Sequence, residues 1–270
     1  MSYNLLKGKK GIIFGALDEK SLAWKTAMRC FEEGAELVLT NAPVALRMGE
    51  INKLAEAIKA PVIGADVTNM EDLKILFEKS MEHFGGKIDF VLHSIGMSLN
   101  VRKGKHYTEI NYEWNQKSLD ISAMSLHKVL RTAWDMDAIS EWGSVVALTY
   151  IAAQRVFPDY NEMADAKSLL ESITRSFGYH YGVKNKVRVN TISQSPTRTT
   201  AGSGVKGFDG FINYAEAMSP LGNASAEDCA NFCVMMFSDY TRMVTMQNLF
   251  HDGGFSFTGV TQKVIEKMEG

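Results

Sequence analysis

Residues 11–40 read GIIFGALDEKSLAWKTAMRCFEEGAELVLT and place a helix-like segment between two apolar runs. The first run, Gly11 to Phe14, leads into Gly15, and the second run covers Leu37 to Thr40. The segment between them, Leu22 to Glu33, stops at Gly34, a residue type that commonly ends helices. Continuous apolar runs are typical of strands that are buried on both faces, as in a parallel sheet. This stretch therefore predicts a strand–helix–strand unit.

The same alternation continues along the rest of the chain. Five more apolar runs predict strands: Val62–Ala65, Phe90–His93, Ser144–Leu148, Val187–Ile192 and a weaker Asn248–His251. Thr68 to Glu71 reads as a capping box that opens a helix over Met70–Phe84, and Ser225 to Asp228 opens another helix in the same way. We predict an α/β fold with a doubly wound, Rossmann-type parallel sheet of about seven strands. Neither a linker nor a repeat interrupts residues 1–270, which predicts a single domain.

Composition excludes several classes of protein. The 270 residues carry 29 basic and 31 acidic side chains, and 46% are hydrophobic. These values argue against disorder and against a nucleic-acid partner, which would require a strong positive field. The chain has no apolar stretch of about 18 residues and no secretory signal at its N-terminus, so we expect no membrane segment and a cytoplasmic location.

Three cysteines, Cys30, Cys229 and Cys233, are too few and too scattered for a disulfide framework. Cys229 and Cys233 share one face of a helix, but two ligands do not make a zinc site. We predict that these thiols pack in the core and that the chain holds no metal.

The turn after the first predicted strand has one feature of a dinucleotide site. Gly15 allows the backbone to approach a pyrophosphate at a helix N-terminus. The G-x-G-x-x-G pattern is absent, and Ser21 stands where a later glycine is expected, so the signal is weak by itself. The second strand ends at Asn41 and Ala42, neither acidic nor basic, which leaves NADH and NADPH open while mildly favouring NADH. Asp66 fits either a coenzyme contact or a turn cap.

Tyr160 and Lys167 form the candidate catalytic pair. They lie seven residues apart, which on one helix returns to nearly the same face, and Lys167 would reach back toward Tyr160. A cation there is expected to lower the pKa of the phenol from about 10, so that the phenol can donate to a developing enolate. An isolated pair of this kind is more typical of a surface lysine and a half-buried tyrosine.

The segment Gln194 to Gly210 is rich in Ser, Thr and Gly and follows the sixth predicted strand. It lies at the carboxyl edge of the sheet, where doubly wound folds bind ligands. It fits a mobile lid or a plain surface loop, and its position and length favour the lid.

The chain resembles the short-chain dehydrogenase/reductase superfamily and, within it, the enoyl-acyl-carrier-protein reductases of bacterial fatty-acid synthesis. The most specific element is Tyr150 followed by Tyr160-x6-Lys167, because the commoner Tyr-x3-Lys fails at Ala164. The supporting motifs span nearly the whole chain: Gly15-x5-Ser21-Leu22-Ala23, Gly34-Ala35-Glu36-Leu37, His93-Ser94-Ile95-Gly96, Arg188-Val189-Asn190-x-Ile192-Ser193, Pro196-x-Arg198-Thr199 and His251-Asp252-Gly253-Gly254-Phe255.

The resemblance implies a role for each matched residue. Tyr160 would hydrogen-bond the thioester carbonyl and stabilise the enolate, and Tyr150 would line the substrate site and assist. Lys167 would hold the nicotinamide ribose hydroxyls, and Ser98 would face the acyl group. The other implied coenzyme contacts are Gly15, Ser21 and Leu22 on the pyrophosphate, Asp66 and Val67 at the adenine, Ile95 at the adenosine side or ribose, and Thr197, Arg198 and Thr199 on the nicotinamide and phosphates. Thr197 replaces the family's more usual branched apolar residue.

The implied reaction is hydride transfer from NADH, with NADPH not excluded, to a trans-2-enoyl thioester carried by acyl carrier protein. Arg102, Lys103, Lys105 and Lys206 are candidate docking charges, although ordinary solvated side chains fit equally well. The resemblance also implies a homotetramer that uses the helices after the fourth and fifth predicted strands. We expect some of the apolar residues in the segment from Tyr112 to Ile139 to be left exposed on a monomer; these residues are Trp114, Leu119, Ile121, Met124, Leu126, Val129 and Leu130.

Two alternatives remain open from the sequence. A carbonyl-reducing short-chain dehydrogenase is disfavoured because the Tyr-x3-Lys pattern fails. A nicotinamide-binding redox sensor is disfavoured because it would need only the dinucleotide end and not Tyr150, Tyr160 and Lys167.

Overall fold

The computed structural model describes residues 2–48, 50–200 and 207–269. Within these residues, six parallel strands form one sheet in the order β2-β1-β3-β4-β5-β6. The strands are β1 Lys10–Phe14, β2 Glu36–Thr40, β3 Ile88–His93, β4 Ile139–Thr149, β5 Arg188–Gln194 and β6 Asn248–His251. The predicted doubly wound α/β fold is confirmed.

The helices of the described residues cover both faces of this sheet. Their bounds are α1 Leu22–Glu32, α2 Pro43–Met48, α3 Ile51–Ile58, α4 Met70–Phe84, α5 Leu99–Arg102, α6 Tyr112–Leu119, α7 Ser125–Asp135, α8 Glu162–Asn185, α9 Phe208–Met218, α10 Ala226–Phe237 and α11 Gln262–Glu269. A single π-helical turn, Asp120–Met124, joins α6 to α7. Helices α4, α7 and α8 pack on one face, and α1, α3 and α10 pack on the other.

Successive strand residues point to opposite faces, which divides the core in two. Val91 packs with α4, α7 and α8, whereas its neighbour Leu92 packs with α1, α3 and α10. Cys30, Cys229 and Cys233 are free, fully buried thiols in the second core, as the sequence predicts. Each large apolar side chain buried in this way contributes about 1.5–3 kcal/mol, so both faces of the sheet stabilise the fold.

The run Val62–Ala65, predicted as the third strand, is not a strand in the structure. It runs beside β2 but makes one isolated parallel bridge, between Leu39 and Val62. The N–H groups of Ile63 and Ala65 donate to the carbonyl oxygens of Leu39 and Asn41, but Pro61 has no N–H and Gly64 weakens strand conformation, so the run does not form a regular strand at this outer edge. This difference accounts for six strands where the sequence suggests about seven.

Helix capping agrees with the sequence at one helix and differs at another. The predicted bounds of α4 are correct, but Asn69 rather than Thr68 is the N-cap, and its side chain accepts from the backbone N–H groups of Glu71 and Asp72. The capping box of α10 is confirmed, because Ser225 and Asp228 satisfy each other's backbone N–H groups. Asn is as good an N-cap as Ser or Thr, so residue type alone does not choose between neighbours.

The stretch from α6 to α7 is more buried than the sequence suggests. Leu126, Val129 and Leu130 lie in the core of the single chain and leave no apolar surface exposed. Trp114, Leu119, Ile121 and Met124 are partly buried. Exposed apolar side chains lie instead on α6, at Tyr112, and on α8, at Tyr179 and Val183.

Over the described ranges, helices are either too short or too polar to cross a bilayer. The same part of the chain brings no three His, Cys, Asp or Glu side chains together as metal ligands.

Candidate active site

A cleft lies where β1, β3, β4 and β5 end, at the carboxyl edge of the sheet. Its walls come from the turn after β1, the segment between β3 and α5, the residues around the start of α8 and the segment after β5. This is the edge at which open parallel sheets bind ligands, because the strand-to-helix loops on this side diverge and leave a crevice.

The first wall is the turn from β1 into α1. Gly15 has φ +92°, and a Cβ there would lie 2.0 Å from the carbonyl oxygen of Ser94, so this position requires glycine. Ser21 is the N-cap of α1, and its hydroxyl accepts from Trp24 N. The first turn of α1 contains no acidic side chain, so its N-terminus presents partial positive charge to the cleft, where Asp18 of the preceding turn is the neighbouring acid. The wall suits an anionic group such as a pyrophosphate.

The second wall begins directly after β3. His93 is fully buried and lies 2.8 Å from the hydroxyl of Ser125 through Nε2. Burial lowers the pKa of His93 to about 3, with the Lys167 cation acting in the same direction, so the ring is neutral at physiological pH. Ile95 and Ser98 follow and line the cleft. The hydroxyl of Ser98 caps α5 by accepting from Val101 N.

The third wall carries two tyrosines. The ring centroids of Tyr150 and Tyr160 lie 5.3 Å apart, and the ring of Phe157 lies tilted beside that of Tyr150 with a centroid distance of 5.2 Å. Burial raises the pKa of Tyr160 to about 12. The pKa of Tyr150 is raised further, first by burial and then by the neighbouring Tyr160 and Asp252. Both phenols are therefore protonated hydrogen-bond donors near neutral pH.

Lys167 projects from α8 into the same cleft and is 7% exposed. Its ammonium donates to the carbonyl oxygen of Leu148, at the end of β4, over 2.7 Å. Burial lowers the pKa of Lys167 to about 8, and the carboxylate of Glu171, one turn further along α8, acts in the opposite direction. The site thus contains one poorly solvated cation close to the end of a strand.

The structure corrects two expectations about this pair. Tyr160 does not lie on the helix, because α8 begins at Glu162. The pKa of Tyr160 is raised by burial, and the predicted lowering by Lys167 is wrong. Both side chains nevertheless line the same cleft, because the turn before α8 places Tyr160 on the wall of that cleft.

The bend before α8 is strained. Asn161 has φ +43° and ψ −137°, which is rare for a residue with a side chain. Such a conformation costs about 1–3 kcal/mol and persists when surrounding contacts hold it. One of these contacts is the bond of 2.5 Å from the Asn161 amide to the carbonyl oxygen of Lys105.

The fourth wall is the segment after β5. Gln194, predicted as the start of the lid, is the last residue of β5, and the lid's predicted end at Gly210 lies inside α9. Residues 201–206 fall outside the described residues, as does the candidate docking residue Lys206. The hydroxyl of Thr200 donates to Asp18 over 2.5 Å, so this segment reaches the turn after β1 across the cleft.

Comparison with known proteins agrees with this geometry. Residues 15–256 match the family model described as enoyl-(acyl carrier protein) reductase. The chain belongs to the enoyl-(acyl carrier protein) reductase family.

Relatives in this family align over nearly their full length. The NADH-dependent enoyl-[acyl-carrier-protein] reductase FabI of Rickettsia prowazekii (strain Madrid E) is 34% identical over 262 residues, which are 96% of this chain and 98% of the relative. The crystal structure of the FabI–NADH complex from Alistipes finegoldii superposes with a TM-score of 0.96 at 62% identity, over 97% of this chain and 92% of that chain. The crystal structure of the enoyl-[acyl-carrier-protein] reductase (NADH) from Aquifex aeolicus VF5 superposes with a TM-score of 0.87 at 31% identity, over 95% of this chain and 100% of that chain.

Most residues implied by the resemblance to enoyl reductases lie in the cleft. Those that line it are Gly15, Ser21, Leu22, Ile95, Ser98, Tyr150, Tyr160, Lys167, Thr197 and Thr199. Three others do not. Asp66 is exposed and accepts from Thr68 at a turn, Val67 packs in the core, and Arg198 pairs with Asp209 of α9.

An aromatic and apolar part of the cleft was missed by sequence reasoning. Phe157 and Phe211 lie with their ring centroids 5.6 Å apart, and Met97, Met163 and Phe208 complete this part. These residues come from four separate loops and helix ends and share no spacing, so their convergence depends on the fold.

Proposed function

We propose that this protein reduces trans-2-enoyl thioesters of acyl carrier protein with a hydride from NADH, the last reductive step of bacterial fatty-acid elongation. The observation that carries the proposal is the meeting of Tyr160, Lys167 and an apolar aromatic wall in one cleft, next to the N-terminus of α1. The family membership supports the same reaction.

The residues of the cleft suit a dinucleotide. Gly15, Ser21 and Leu22 would receive the pyrophosphate, because the N-terminus of α1 is open to an anion. Bound NADH supplies the hydride that adds to the β-carbon of the substrate. NADH rather than NADPH agrees with the names of the relatives.

The remaining coenzyme contacts are predictions that follow the family pattern. Ile95, Thr197 and Thr199 already line the cleft. Asp66 and Val67 at the adenine and Arg198 at the phosphates would require contacts at or beyond the margin of the cleft.

The side chains of the site have complementary tasks. Tyr160, protonated at neutral pH, would donate to the thioester carbonyl and stabilise the negative charge that develops on its oxygen. Lys167 would hold the nicotinamide ribose hydroxyls and place a positive charge behind Tyr160. Tyr150 would assist, and Phe157 and Phe211 would contact the acyl chain.

The first test of this proposal is turnover. When purified protein is mixed with crotonyl thioester and NADH, the absorbance of the reduced nicotinamide should fall as NADH is oxidised. A panel of ketones should give no comparable rate of NADH oxidation. Absence of turnover with every enoyl thioester, or tight NADH binding without reduction, would contradict the proposal.

The pH dependence of NADH binding should report the Lys167 cation. Since the pKa of Lys167 is lowered to about 8, affinity for NADH should fall as pH rises through that value. Glu171→Gln removes a charge that favours the cation, so the fall should begin at lower pH. The amide oxygen of the new glutamine can keep the hydrogen bonds from Thr149 and Asn248. The Gln154 amide can flip so that its oxygen accepts from the new amide N–H.

Fluorescence titration of NADH between pH 6 and 10 measures this shift. Glu33→Gln serves as the control, because Glu33 is a fully buried carboxylate at the far end of α1. An identical pH profile for Glu171→Gln and the wild type would contradict the assignment.

A homotetramer and a location in the cytoplasm complete the proposal. The exposed Tyr179 and Val183 on α8 and Tyr112 on α6 support an interface on these helices. We expect sedimentation at the mass of four chains, and Tyr179→Asp with Val183→Asp should shift the protein to smaller species. A monomeric wild type would contradict the tetramer.

The candidates for docking acyl carrier protein are three exposed basic residues, Arg102, Lys103 and Lys105.

A further inference from the structure

Glu162 is a fully buried acid at the first position of α8, two residues after Tyr160. Within the described part of the chain, no Lys, Arg or His nitrogen lies within ion-pair distance of its carboxylate. Burial of a carboxylate is unfavourable unless hydrogen bonds replace the lost water. The arrangement of those bonds therefore indicates what this acid does.

One carboxylate oxygen of Glu162 gathers two donors and lies near a third polar group. Oε1 accepts from the hydroxyl of Ser98 over 2.5 Å and from the amide of Asn100 over 3.1 Å. It also lies 3.1 Å from the hydroxyl of Ser118, whose single proton has a shorter contact of 2.9 Å with the carbonyl oxygen of Trp114. The other oxygen, Oε2, is buried and has no hydrogen-bond partner among the described residues. Polar groups from the α5 and α6 segments thus converge on one atom of α8.

This contact joins two walls of the cleft. Ser98 lines the cleft on the wall that follows β3, and Tyr160 lines it on the wall that precedes α8. Glu162 itself does not line the cleft, so it acts from behind the wall. The side chain fixes the distance between the wall that would face the acyl group and the wall that carries the phenol.

The strained bend makes this attachment consequential. Asn161, with φ +43°, lies directly between Tyr160 and Glu162. A strained residue keeps its conformation when contacts on both sides hold it. On one side, the Asn161 amide donates to the carbonyl oxygen of Lys105 and Tyr160 O accepts from Met163 N, and on the other the Glu162 carboxylate accepts from Ser98 and Asn100. Loss of that anchor would let the bend relax and turn Tyr160.

We propose that Glu162 is a positioning residue for enoyl reduction, which holds Tyr160 in its place relative to the Ser98 wall through this buried hydrogen-bond cluster. The inference rests on the role proposed for Tyr160. It predicts an effect on the chemical step that exceeds the effect on coenzyme binding, because the turn after β1 does not contact Glu162 and Lys167, further along α8, is held by its own bond to the carbonyl oxygen of Leu148.

The test compares Glu162→Val with Glu162→Gln. Valine removes the acceptor of the Ser98 hydroxyl and of one Asn100 N–H, whereas glutamine keeps one acceptor oxygen for them. We expect Glu162→Val to lower kcat with crotonyl thioester about 10–100-fold and to change the Kd for NADH less than about 3-fold. Glutamine should restore kcat to within about 5-fold of the wild type.

Glu33→Val and Glu33→Gln are the matched controls. Glu33 is equally buried and accepts from the backbone N–H groups of Tyr3 and Leu5, away from the cleft. The Glu33 variants should lower thermal stability and leave kcat unchanged. The proposal is overturned if Glu162→Val keeps kcat, or if glutamine and valine lower kcat equally.

Asn100→Asp decides the matter if Glu162→Val does not fold. It removes the amide that donates to Glu162 and keeps the oxygen that accepts from Asn111 N, and Asn100 does not line the cleft. A fall in kcat of about 3-fold or more at unchanged Kd for NADH supports the proposal, and an unchanged kcat overturns it. Failure of the proposed function is separate, because it would appear as absence of turnover in the wild type or as full activity in Tyr160→Phe.

Discussion

Tyr160→Phe should lower kcat for crotonyl thioester by about 10²–10³-fold, the usual loss when one donor to a developing oxyanion is removed. The variant keeps the ring and its contact with Tyr150, whose centroid lies 5.3 Å away, so the wall of the cleft should remain intact. The Kd for NADH should stay within about 2-fold, because the hydroxyl is assigned to the thioester and not to the coenzyme.

The phenol must act as a donor and not as an anion. Burial raises the pKa of Tyr160 to about 12, so the hydroxyl keeps its proton throughout the neutral range. The wild-type kcat should therefore show no loss that is due to phenol ionisation below about pH 10. A loss of kcat that begins below pH 10 as the pH is raised, and that is absent in Tyr160→Phe, would contradict this assignment.

Tyr181→Phe is the matched control for this variant. Tyr181 is also buried, and its hydroxyl donates to the carbonyl oxygen of Leu130 over 2.9 Å in the core. Its replacement should cost about 1 kcal/mol of stability and leave kcat unchanged. Stopped-flow measurement of nicotinamide oxidation under single-turnover conditions separates the chemical step from product release. Equal kcat values for Tyr160→Phe and Tyr181→Phe would overturn the role of Tyr160.

The sheet was predictable because its signals are local. Strand β6 and helix α4 have the bounds that the sequence predicts, since each combines an apolar pattern with a clear start or end. The run Val62–Ala65 is also apolar and is predicted as a strand in the same way, yet it lies at the outer edge of the sheet next to Pro61 and makes one isolated bridge. Composition cannot distinguish an edge from the middle of a sheet, because strand order is set by the whole fold.

The site shows the same limit. The seven-residue spacing predicts that Tyr160 and Lys167 share one face of a helix; both line one cleft, but a strained turn at Asn161 and not a shared helix brings Tyr160 there. A spacing argument assumes ideal geometry, and positive φ at a non-glycine residue has no sequence signature of its own. Burial likewise decides the pKa of Tyr160, and burial is known only after the chain is folded.

Lys167→Met should weaken NADH binding by about 10–100-fold, the loss expected for a hydrogen bond from a charged group. The same replacement should make the ligand-free protein more stable near pH 7. The two effects have one origin, because the buried ammonium that serves the coenzyme is poorly solvated when no ligand is bound.

The sign of the stability effect follows from the pKa values of Lys167. The folded-state pKa is lowered to about 8 from 10.5 in the unfolded chain, so below pH 8 both states carry the charge and the folded state bears a cost of about 3 kcal/mol. Between pH 8 and 10.5 the unfolded state binds the extra proton, so this cost shrinks as pH rises, and it is absent at higher pH. Methionine removes the cost but leaves the carbonyl oxygen of Leu148 without its donor, which gives a net gain of about 1–2 kcal/mol at pH 7.

Urea unfolding of the wild type and Lys167→Met at pH 7 and pH 10 measures this difference, and fluorescence titration measures the Kd for NADH. Lys167→Met should be more stable than the wild type at pH 7 and less stable by about 1 kcal/mol at pH 10, because the wild type has then lost most of its buried charge while the variant still lacks the bond to Leu148. Lys184→Met is the control, since Lys184 of the same helix lies over the ring of Trp134 on the surface and should show neither effect. A Lys167→Met protein that is less stable than the wild type at pH 7 would mean that the hydrogen bond to Leu148 outweighs the cost of burying the charge. One that binds NADH as tightly as the wild type would remove Lys167 from the coenzyme site.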